Sequence, residues 1–377
     1  MIPRIIENQI LEALKPGKVV GIFGARRTGK TVLMQDLLKK IPGGKVLFVR
    51  GEDLNAAEII SSQRTSEHKK LVDGYSHLFI DEAQKITNIG ENLKLMTDAI
   101  PELSILVSGS SAFDLRNKIG EPLVGRSQFF HLYPIAQLEL ASAKDFLEAK
   151  ESLEDLLILG SYPQIVTANC TQEKKDLLES IKDGYLLKDV LEQDNIKDSL
   201  FVLNLLRLIA FQIGNDISYT ELATTIGANR KTVMRYLELL EKAFVIFSLP
   251  GFSRNLRTEY TKTPRYYFWD NGIRNAVISN YNRLNSRDDV GKLWENFCVS
   301  EMIKKGDYER RYANRFFWRT YDQKEIDYLE ERDGKLFGYE MKWSDGQARA
   351  PKAFLETYPD SEFKVITRDN YLDILGK

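Results

Sequence analysis

One segment of the sequence has the residue types and spacing of a phosphate-binding loop. Residues 24–31 read GARRTGKT and fit the pattern G-x-x-x-x-G-K-[ST], between an apolar run and an amphipathic segment. The glycines let backbone N–H groups turn toward phosphate oxygens, and a helix starting near Lys30 adds the positive end of its dipole. Lys30 would contact the outer phosphates of ATP, and the Thr31 hydroxyl would bind Mg²⁺. The predicted nucleotide-binding residues are Gly24, Ala25, Arg26, Arg27, Thr28, Gly29, Lys30 and Thr31.

A second apolar run ends in two carboxylates, which such a loop needs for hydrolysis. Residues 77–82 read HLFIDE. Asp81 would hold the Mg²⁺, and Glu82 would orient and deprotonate the attacking water. A third apolar run, 105–108, leads into Ser-Gly-Ser-Ser. A hydroxyl from Ser108 or Ser110 is therefore predicted to reach the same water.

Phosphoryl transfer also requires a cation that stabilises charge in the transition state. Arg126, which follows the predicted sheet, is the preferred candidate; the alternative is a surface arginine or one that makes a structural ion pair. If Arg126 acts in the site of another subunit, turnover per subunit should rise with protein concentration. Arg26 and Arg27 lie within the loop itself and are the alternatives.

The elements that must position these residues alternate between apolar, β-rich runs and helical patterns. Such alternation predicts an α/β fold with a parallel sheet and helices on both faces. The predicted strands are 18–23, 45–50, 77–80 and 105–108, and the predicted helices are 30–40, 86–100 and 112–119. After residue 136, helical periodicity replaces the β-rich runs.

Composition argues against several classes of protein, including disulfide scaffolds, secreted proteins and membrane proteins. The 377 residues suggest more than one domain, and a net charge of −1 leaves no global field that would attract nucleic acid or a membrane. Two cysteines exclude a disulfide scaffold, and three histidines argue against a histidine-rich metal site. The N-terminus lacks the apolar run of a signal peptide, and no stretch is long enough to span a bilayer. We therefore expect a cytoplasmic protein without membrane contact.

Residues 218–240 have the pattern of a helix-turn-helix. Ser218 and Glu221 form a capping-box pair, a glycine turn follows at 227, and a second helix is predicted over 231–240. The segment 228–265 contains eight Lys and Arg against three Glu, which predicts salt-sensitive contacts with DNA phosphates. The predicted DNA-binding residues are Arg230, Lys231 and Arg235 in the second helix, and Arg254 and Arg257 in a wing that would extend to Lys262 and Arg265. A packing or oligomerisation module is the alternative.

The C-terminal segment 325–342 predicts a hairpin that presents an acidic pair. Asp333-Gly334 is typical of a two-residue turn, and the register it fixes places Asp327 opposite Glu340. Opposed Cβ atoms lie about 4.5–5.5 Å apart, so the two carboxylates would favour a divalent cation between them. Strict alternation places Lys342 on the same face. It assigns the opposite, core face to Ile326, Tyr328, Phe337, Tyr339, Met341 and Trp343.

The spacing of Asp327, Glu340 and Lys342 resembles the PD-(D/E)xK nuclease fold, and Glu295 matches the glutamate often found on its preceding helix. The resemblance implies that Mg²⁺ held by the acidic pair activates water, with Lys342 assisting. A charge pair on an inactive domain of the same fold is the alternative.

Taken together, the motifs resemble the AAA+ superfamily of ATPases, in particular the prokaryotic group with a C-terminal DUF4143 domain. The residues that carry the resemblance are the loop, Asp81-Glu82, Gly125-Arg126 and the runs 132–135 (LYPI), 160–163 (GSYP) and 185–189 (YLLKD). It implies an ATPase core over 1–137, a helical lid over 138–205, a winged helix over 206–284 and a nuclease-like domain over 285–377.

The predicted function is Mg²⁺-dependent ATP hydrolysis by a DNA-associated protein, which could form homo-oligomers and carry a metal-dependent nuclease tail. The alternative is an ATP-dependent regulatory switch whose C-terminal parts contact proteins and cleave no DNA.

Overall fold

The computed structural model describes residues 2–41, 43, 45–109, 123–143, 145–186, 199–253, 263–320, 323–344 and 349–376. These residues form two compact units, 3–133 and 134–377. Ser110, Arg254, Arg257, Lys262 and the predicted helix 112–119 lie outside the described residues.

The first unit is an α/β layer structure. Its helices are α1 (Ile6–Ala13), α2 (Lys30–Lys40), α3 (Leu54–Ser61), α4 (Thr65–Leu71) and α5 (Ile89–Ala99), and its strands are β1 (Val19–Phe23), β2 (Val46–Arg50), β3 (His77–Asp81), β4 (Ser104–Gly109) and β5 (Ser127–His131). The strands form one parallel sheet in the order β2-β3-β4-β1-β5. The predicted parallel sheet and its first four strands are thus confirmed.

Burial explains why these strands are apolar without alternation. Every residue of the central strands β1 and β4 is buried, as expected for strands covered on both faces. The predicted helix 30–40 is confirmed, and the predicted helix 86–100 forms as the shorter α5, which a 3₁₀ turn (Ala83–Lys85) precedes. The pattern missed β5, because SQFFH mixes polar and aromatic residues as an edge strand does.

The described part of the second unit contains helices before, between and after its strands. They are α6 (Gln137–Ala143), α7 (Phe146–Glu151), α8 (Leu153–Leu159), α9 (Pro163–Thr167), α10 (Thr171–Ile181), α11 (Ser199–Phe211), α12 (Tyr219–Ile226), α13 (Arg230–Lys242), α14 (Asn271–Val277), α15 (Val290–Tyr308), α16 (Lys352–Thr357) and α17 (Tyr371–Leu375). A π-helical turn, Lys182–Leu186, follows α10. None of the described helices combines the length and apolar composition needed to cross a bilayer.

Two sheets complete the second unit. Strands β6 (Ile246–Leu249) and β7 (Arg265–Phe268) pair antiparallel. Strands β8 (Asn314–Arg319), β9 (Glu325–Arg332), β10 (Lys335–Met341) and β11 (Glu362–Ile366) form a four-stranded sheet in the order β11-β10-β9-β8. One face of this sheet packs in a core that includes Trp318, Ile326, Leu329, Leu336 and Phe354.

The helix pair α12–α13 forms where the sequence predicted two helices. The Ser218 hydroxyl accepts a hydrogen bond from the Glu221 N–H at 3.3 Å, and the Asn229 side chain accepts one from the Thr232 N–H at 2.8 Å. Gly227 ends α12 with a φ of +69°, a backbone conformation that favours glycine. Local capping therefore fixes both helix starts and the turn between them.

The run 160–163 (GSYP) has a structural explanation in the second unit. The buried carboxylate of Asp270 accepts a hydrogen bond from the Ser161 N–H at 2.6 Å and caps α14 by accepting another from the Ile273 N–H at 3.0 Å. A Cβ on Gly160 would lie 2.1 Å from the Asp270 carboxylate, so a side chain there is excluded. This motif positions a turn against α14.

Candidate functional site

The predicted phosphate-binding loop curls at the carboxyl end of β1. A Cβ at Gly24 would lie 2.1 Å from the Leu132 carbonyl oxygen, so only glycine allows this approach to the chain leaving β5. Gly29 has a φ of +97° directly before α2. The two glycines therefore give the loop its curvature, as the sequence pattern predicted.

Lys30 and Thr28 are buried inside this loop. The Lys30 ammonium donates hydrogen bonds to the carbonyl oxygens of Gly24 and Ala25, both at 3.0 Å, and the Thr28 hydroxyl donates to the Ala25 carbonyl at 2.9 Å. The ammonium thus lies in the curl of the loop, where an anionic phosphate would find a positive charge and a low dielectric.

Three side chains from separate elements meet beside the loop. The Thr31 hydroxyl donates to Asp81 Oδ2 at 2.7 Å, and the Ser108 hydroxyl donates to Asp81 Oδ1 at 2.5 Å. Adjacent parallel strands bring them together, because β3 and β4 end at the same edge of the sheet as β1. Oxygen ligands of this kind suit Mg²⁺, which is bound by few protein groups in addition to phosphates.

Glu82 follows Asp81 in a left-handed backbone conformation with a φ of +55°. Its N–H donates to the Ser108 oxygen at 3.1 Å, and its carboxylate accepts a hydrogen bond from the Gln84 amide at 2.5 Å. Ser108 therefore contacts both acidic residues of the motif. Gln84 is a partner that the sequence analysis missed, because a glutamine in a short turn carries no recognisable signal.

Arg126 lies at the amino ends of the strands, whereas the loop lies at their carboxyl ends. Val19, at the start of β1, pairs with Ser127, while the loop follows Phe23 at the end of that strand. Five strand residues span about 15 Å, so Arg126 does not reach the loop of its own subunit. Its guanidinium forms an ion pair with Asp98. Arg26 and Arg27 remain within the loop, where the sequence places them.

The C-terminal hairpin forms with the predicted turn and register. Asp333 and Gly334 both have positive φ values, +50° and +75°, as a type I′ turn requires. The paired residues run from Arg332 opposite Lys335 to Tyr328 opposite Tyr339, as the predicted register requires, and Asp327 and Glu340 are the next residue of each strand. Asp327 Oδ2 accepts a hydrogen bond from the Met341 N–H at 2.8 Å, beside Glu340.

A β-bulge changes the predicted faces of β9. Leu329 pairs with Phe316 but Ile326 pairs with Trp318, so two residues of β9, Asp327 and Tyr328, oppose one residue of β8. Ile326 consequently shares the core with Leu329. The prediction that Ile326 and Tyr328 lie on one face is wrong, because the extra residue interrupts the alternation that the prediction assumed.

The acidic pair is buried, Glu340 forms an ion pair with Lys342, and the pKa values of both carboxyl groups are raised. Asp327 and Glu340 are 6% and 8% exposed, and the Lys342 ammonium lies 2.7 Å from Glu340 Oε1. Burial, reinforced by the negative charge of Glu295, raises the pKa of Asp327 to about 7. Burial and the charge of Asp327 likewise raise the pKa of Glu340. Burial by itself lowers the pKa of Lys342, but the hydrogen bond to Glu340 and the negative charges of Glu340, Asp327 and Glu325 together outweigh burial and raise this pKa.

Glu295 lies in α15 with both carboxylate oxygens occupied. One oxygen accepts a hydrogen bond from the Tyr267 hydroxyl at 2.8 Å, and the other lies 3.0 Å from the Lys292 ammonium. A Cβ at Gly214 would lie 2.5 Å from this carboxylate, so glycine makes room for it. Over the part of the chain that the structure describes, no three His, Cys, Asp or Glu side chains are grouped so as to hold a metal ion.

Comparisons with known families divide the chain into three matched regions. Residues 16–141 match the AAA domain family, residues 150–284 match a domain of unknown function (DUF8612), and residues 290–374 match a domain of unknown function (DUF4143). The matched regions support a P-loop, AAA-like domain followed by a C-terminal DUF4143 domain.

Two relatives are similar to this chain over most of its length, at low identity. An uncharacterized protein of Methanocaldococcus jannaschii is 24% identical over 97% of this chain and 88% of its own length, and one of Mycobacterium tuberculosis is 24% identical over 89% and 72%. Among solved structures, a Walker-type ATPase of Pyrococcus abyssi superposes with a TM-score of 0.51 at 18% identity, covering 74% of this chain and 96% of that one. This likeness shows the fold of a P-loop ATPase.

The basic residues predicted to bind DNA lie between the AAA domain and the DUF4143 domain. Arg230, Lys231 and Arg235 are exposed in the first turns of α13. Arg265 is different, since it is 2% exposed and forms ion pairs with Asp216 at 2.9 Å and Glu325 at 2.6 Å. The prediction that Arg265 contributes to a DNA-binding surface is wrong, because its side chain on β7 is buried in the protein.

Proposed function

We propose that the AAA domain binds ATP with Mg²⁺ and hydrolyses it. The observation that carries this proposal is the hydroxyl–carboxylate–hydroxyl arrangement of Thr31, Asp81 and Ser108 beside the buried Lys30 ammonium. A merely structural loop would not need a lysine in its curl and a carboxylate shared by two hydroxyl groups at its edge. Mg²⁺ would supply Lewis-acid stabilisation of phosphate charge, held through Thr31 and Asp81.

Each residue then has a defined role. Gly24 and Gly29 shape the loop around the phosphates with Ala25, Arg26, Arg27 and Thr28. Lys30 exchanges its carbonyl partners for the outer phosphates, since a charged acceptor makes the stronger hydrogen bond. Ser108 orients Asp81 and the backbone at Glu82. Ser110, which lies outside the described residues, remains a candidate for contact with the attacking water.

Glu82 is the proposed general base, and Gln84 restrains it. The carboxylate that accepts the Gln84 amide must turn toward the attacking water before it can accept a proton. Arg126 is proposed to act on the nucleotide of a second copy of the chain, since it lies too far from the loop of its own. Turnover per subunit should then rise with protein concentration, and a flat dependence would reject this role.

The test measures ATP turnover with and without duplex DNA for wild type and Glu82→Gln. We expect Glu82→Gln to bind nucleotide but to hydrolyse it about 10²–10³ times more slowly, since it loses the base. Lys30→Ala should lose binding. The matched control Glu102→Gln changes an exposed glutamate in the same unit and should behave as wild type. Full turnover by Glu82→Gln would contradict the assignment.

A second proposal concerns DNA. We propose that Arg230, Lys231 and Arg235 contact duplex phosphates, with Arg254 and Arg257 in a wing of a winged helix. The supporting observation is that the three described cations are exposed at the start of α13, where helix-turn-helix proteins contact DNA. Fluorescently labelled duplex should bind with a steep salt dependence that Arg230→Ala/Lys231→Ala reduces.

The control for DNA binding is Lys352→Ala/Lys364→Ala, which removes two exposed charges elsewhere in the second unit. Equal loss in both double variants would indicate a nonspecific charge effect. No binding by wild type, together with a nucleotide-dependent change in oligomer mass, would support the alternative function as an ATP-dependent switch that contacts proteins.

The nuclease interpretation of the DUF4143 domain has its own test. The burial of Asp327 beside Glu340 supports it, while the Lys342 contact and the occupied Glu295 carboxylate oppose metal binding in this arrangement. Supercoiled plasmid incubated with Mg²⁺ or Mn²⁺ should be nicked by wild type and not by Asp327→Ala. Intact plasmid in both would identify an inactive domain of this fold.

A further inference from the structure

A short N-terminal segment outside the matched AAA domain contacts the phosphate-binding loop. Arg4 precedes α1, whereas the family match begins at residue 16. Its guanidinium donates one hydrogen bond to the Thr28 carbonyl oxygen at 2.8 Å and another to the Tyr133 carbonyl oxygen at 2.7 Å. One planar side chain thus connects the loop with the residue that ends the first unit.

The contact at Thr28 controls the direction of a backbone amide. In a trans peptide the carbonyl of Thr28 and the N–H of Gly29 point in opposite directions. A cation that holds this carbonyl therefore also fixes the Gly29 N–H, which points away from Arg4 and would be available to a phosphate oxygen in the loop. The Thr28 hydroxyl donates to the Ala25 carbonyl, so hydrogen bonds hold both the side chain and the carbonyl of Thr28.

The contact at Tyr133 extends an existing link between the loop and β5. The Leu132 N–H donates to the Phe23 carbonyl at 2.6 Å, and the Leu132 carbonyl packs against Gly24. These contacts hold the beginning of the loop. Arg4 adds a contact to its end, so that both ends of the loop are connected to the chain leaving β5.

We propose that Arg4 is a positioning residue of the nucleotide site, which sets the Thr28–Gly29 peptide and couples the loop to the exit from β5. Its effect on nucleotide affinity rests on the proposed ATPase function. The two hydrogen bonds that connect Arg4 with Thr28 and Tyr133 do not depend on that function, and their effect is testable in the nucleotide-free protein.

The experiment compares full-length wild type, Arg4→Ala and Arg4→Lys, with Arg64→Ala as the matched control. Arg64 is an exposed arginine of the same unit whose ion pair with Glu67 lies on the surface. Hydrogen exchange without nucleotide should become faster in peptides covering 24–33 and 131–135 of Arg4→Ala, and in no other part of the first unit. Arg4→Lys should be intermediate, because one ammonium cannot reproduce the planar fork that reaches two carbonyls.

Nucleotide titration and steady-state turnover provide the second readout. We expect Arg4→Ala to raise the Kd and KM for ATP about tenfold, the scale of one lost charge-assisted hydrogen bond, and to change kcat less than about twofold. Arg64→Ala should match wild type in both assays.

Three outcomes would overturn the proposal: unchanged exchange at both peptides, wild-type affinity in Arg4→Ala, or faster exchange throughout the first unit, which would indicate general destabilisation. If wild type binds no nucleotide, the ATPase proposal fails, and the exchange data still decide whether Arg4 braces the loop.

Discussion

Asp81 and Asp327 are two buried aspartates that differ in their hydrogen-bond donors and in the charges around them. Both lie in strands of a central sheet, and they are 5% and 6% exposed. Asp81 accepts hydrogen bonds from two hydroxyl groups, Thr31 and Ser108. Asp327 accepts one from a backbone N–H and otherwise faces the carboxylates of Glu295, Glu325 and Glu340.

The difference shows what burial of a carboxylate requires. Two hydroxyl donors compensate the Asp81 carboxylate for the hydration that it loses on burial. Asp327 has fewer donors and several like charges nearby, which favour its protonated form. A carboxylate in a strand therefore indicates function only when its donors are known, and those come from other elements.

The largest expected effect is on ATP turnover, when each of the two aspartates is replaced by asparagine in turn. Asp81→Asn should lower ATP turnover about 100-fold, the usual scale for loss of one electrostatic group in an active site. Asp327→Asn should leave turnover within about twofold of wild type. Steady-state phosphate release measures both, and similar losses in the two variants would remove the contrast between the two aspartates.

The free energy of unfolding should respond to replacement of Asp327, and the size of the response should depend on pH. The folded protein holds the Asp327 proton up to about pH 7, whereas an ordinary aspartate releases it near pH 3.8, so wild type loses stability as the pH rises through this window. Asp327→Asn does not titrate and should be about 2 kcal/mol more stable than wild type at pH 8, with little advantage at pH 4. Chemical denaturation at both values checks this, and an advantage that is equal at both would refute the pKa assignment.

Removing a donor from Asp81 should have a smaller effect than removing its charge. Ser108→Ala deletes the hydroxyl that donates to Asp81 and accepts the Glu82 N–H, so turnover should fall about tenfold. Ser108→Thr keeps the hydroxyl and should recover most of the loss. A wild-type rate in Ser108→Ala would show that Thr31 alone positions Asp81.

The smallest effect is expected at Lys342. This lysine is 44% exposed, so solvent screens its ion pair with Glu340. Lys342→Met should destabilise the protein by about 0.5–1 kcal/mol at pH 8 and less below pH 4, where Glu340 is protonated. Denaturation midpoints measure the change, with Lys364→Met as a control at an exposed lysine of the neighbouring strand. A loss as large as that expected for a buried pair would show that Lys342 is better shielded.

Local sequence determined a large part of this protein. The phosphate-binding loop, the Asp81-Glu82 strand end, the helices at 219 and 230 and the turn at Asp333-Gly334 are each encoded within a few contiguous residues. Glycine geometry, capping and alternation act over that distance, so pattern alone predicts them.

Only the tertiary structure decided which distant residues meet. Arg4 finds partners 24 and 129 positions away, and Tyr267 reaches Glu295 across 28. The bulge at Asp327 depends on pairing with β8, and the burial of Arg265 depends on Asp216 and Glu325. Hydrogen-bond donors and desolvation set the charge of a buried group, and both are supplied by elements that sequence periodicity does not relate to one another.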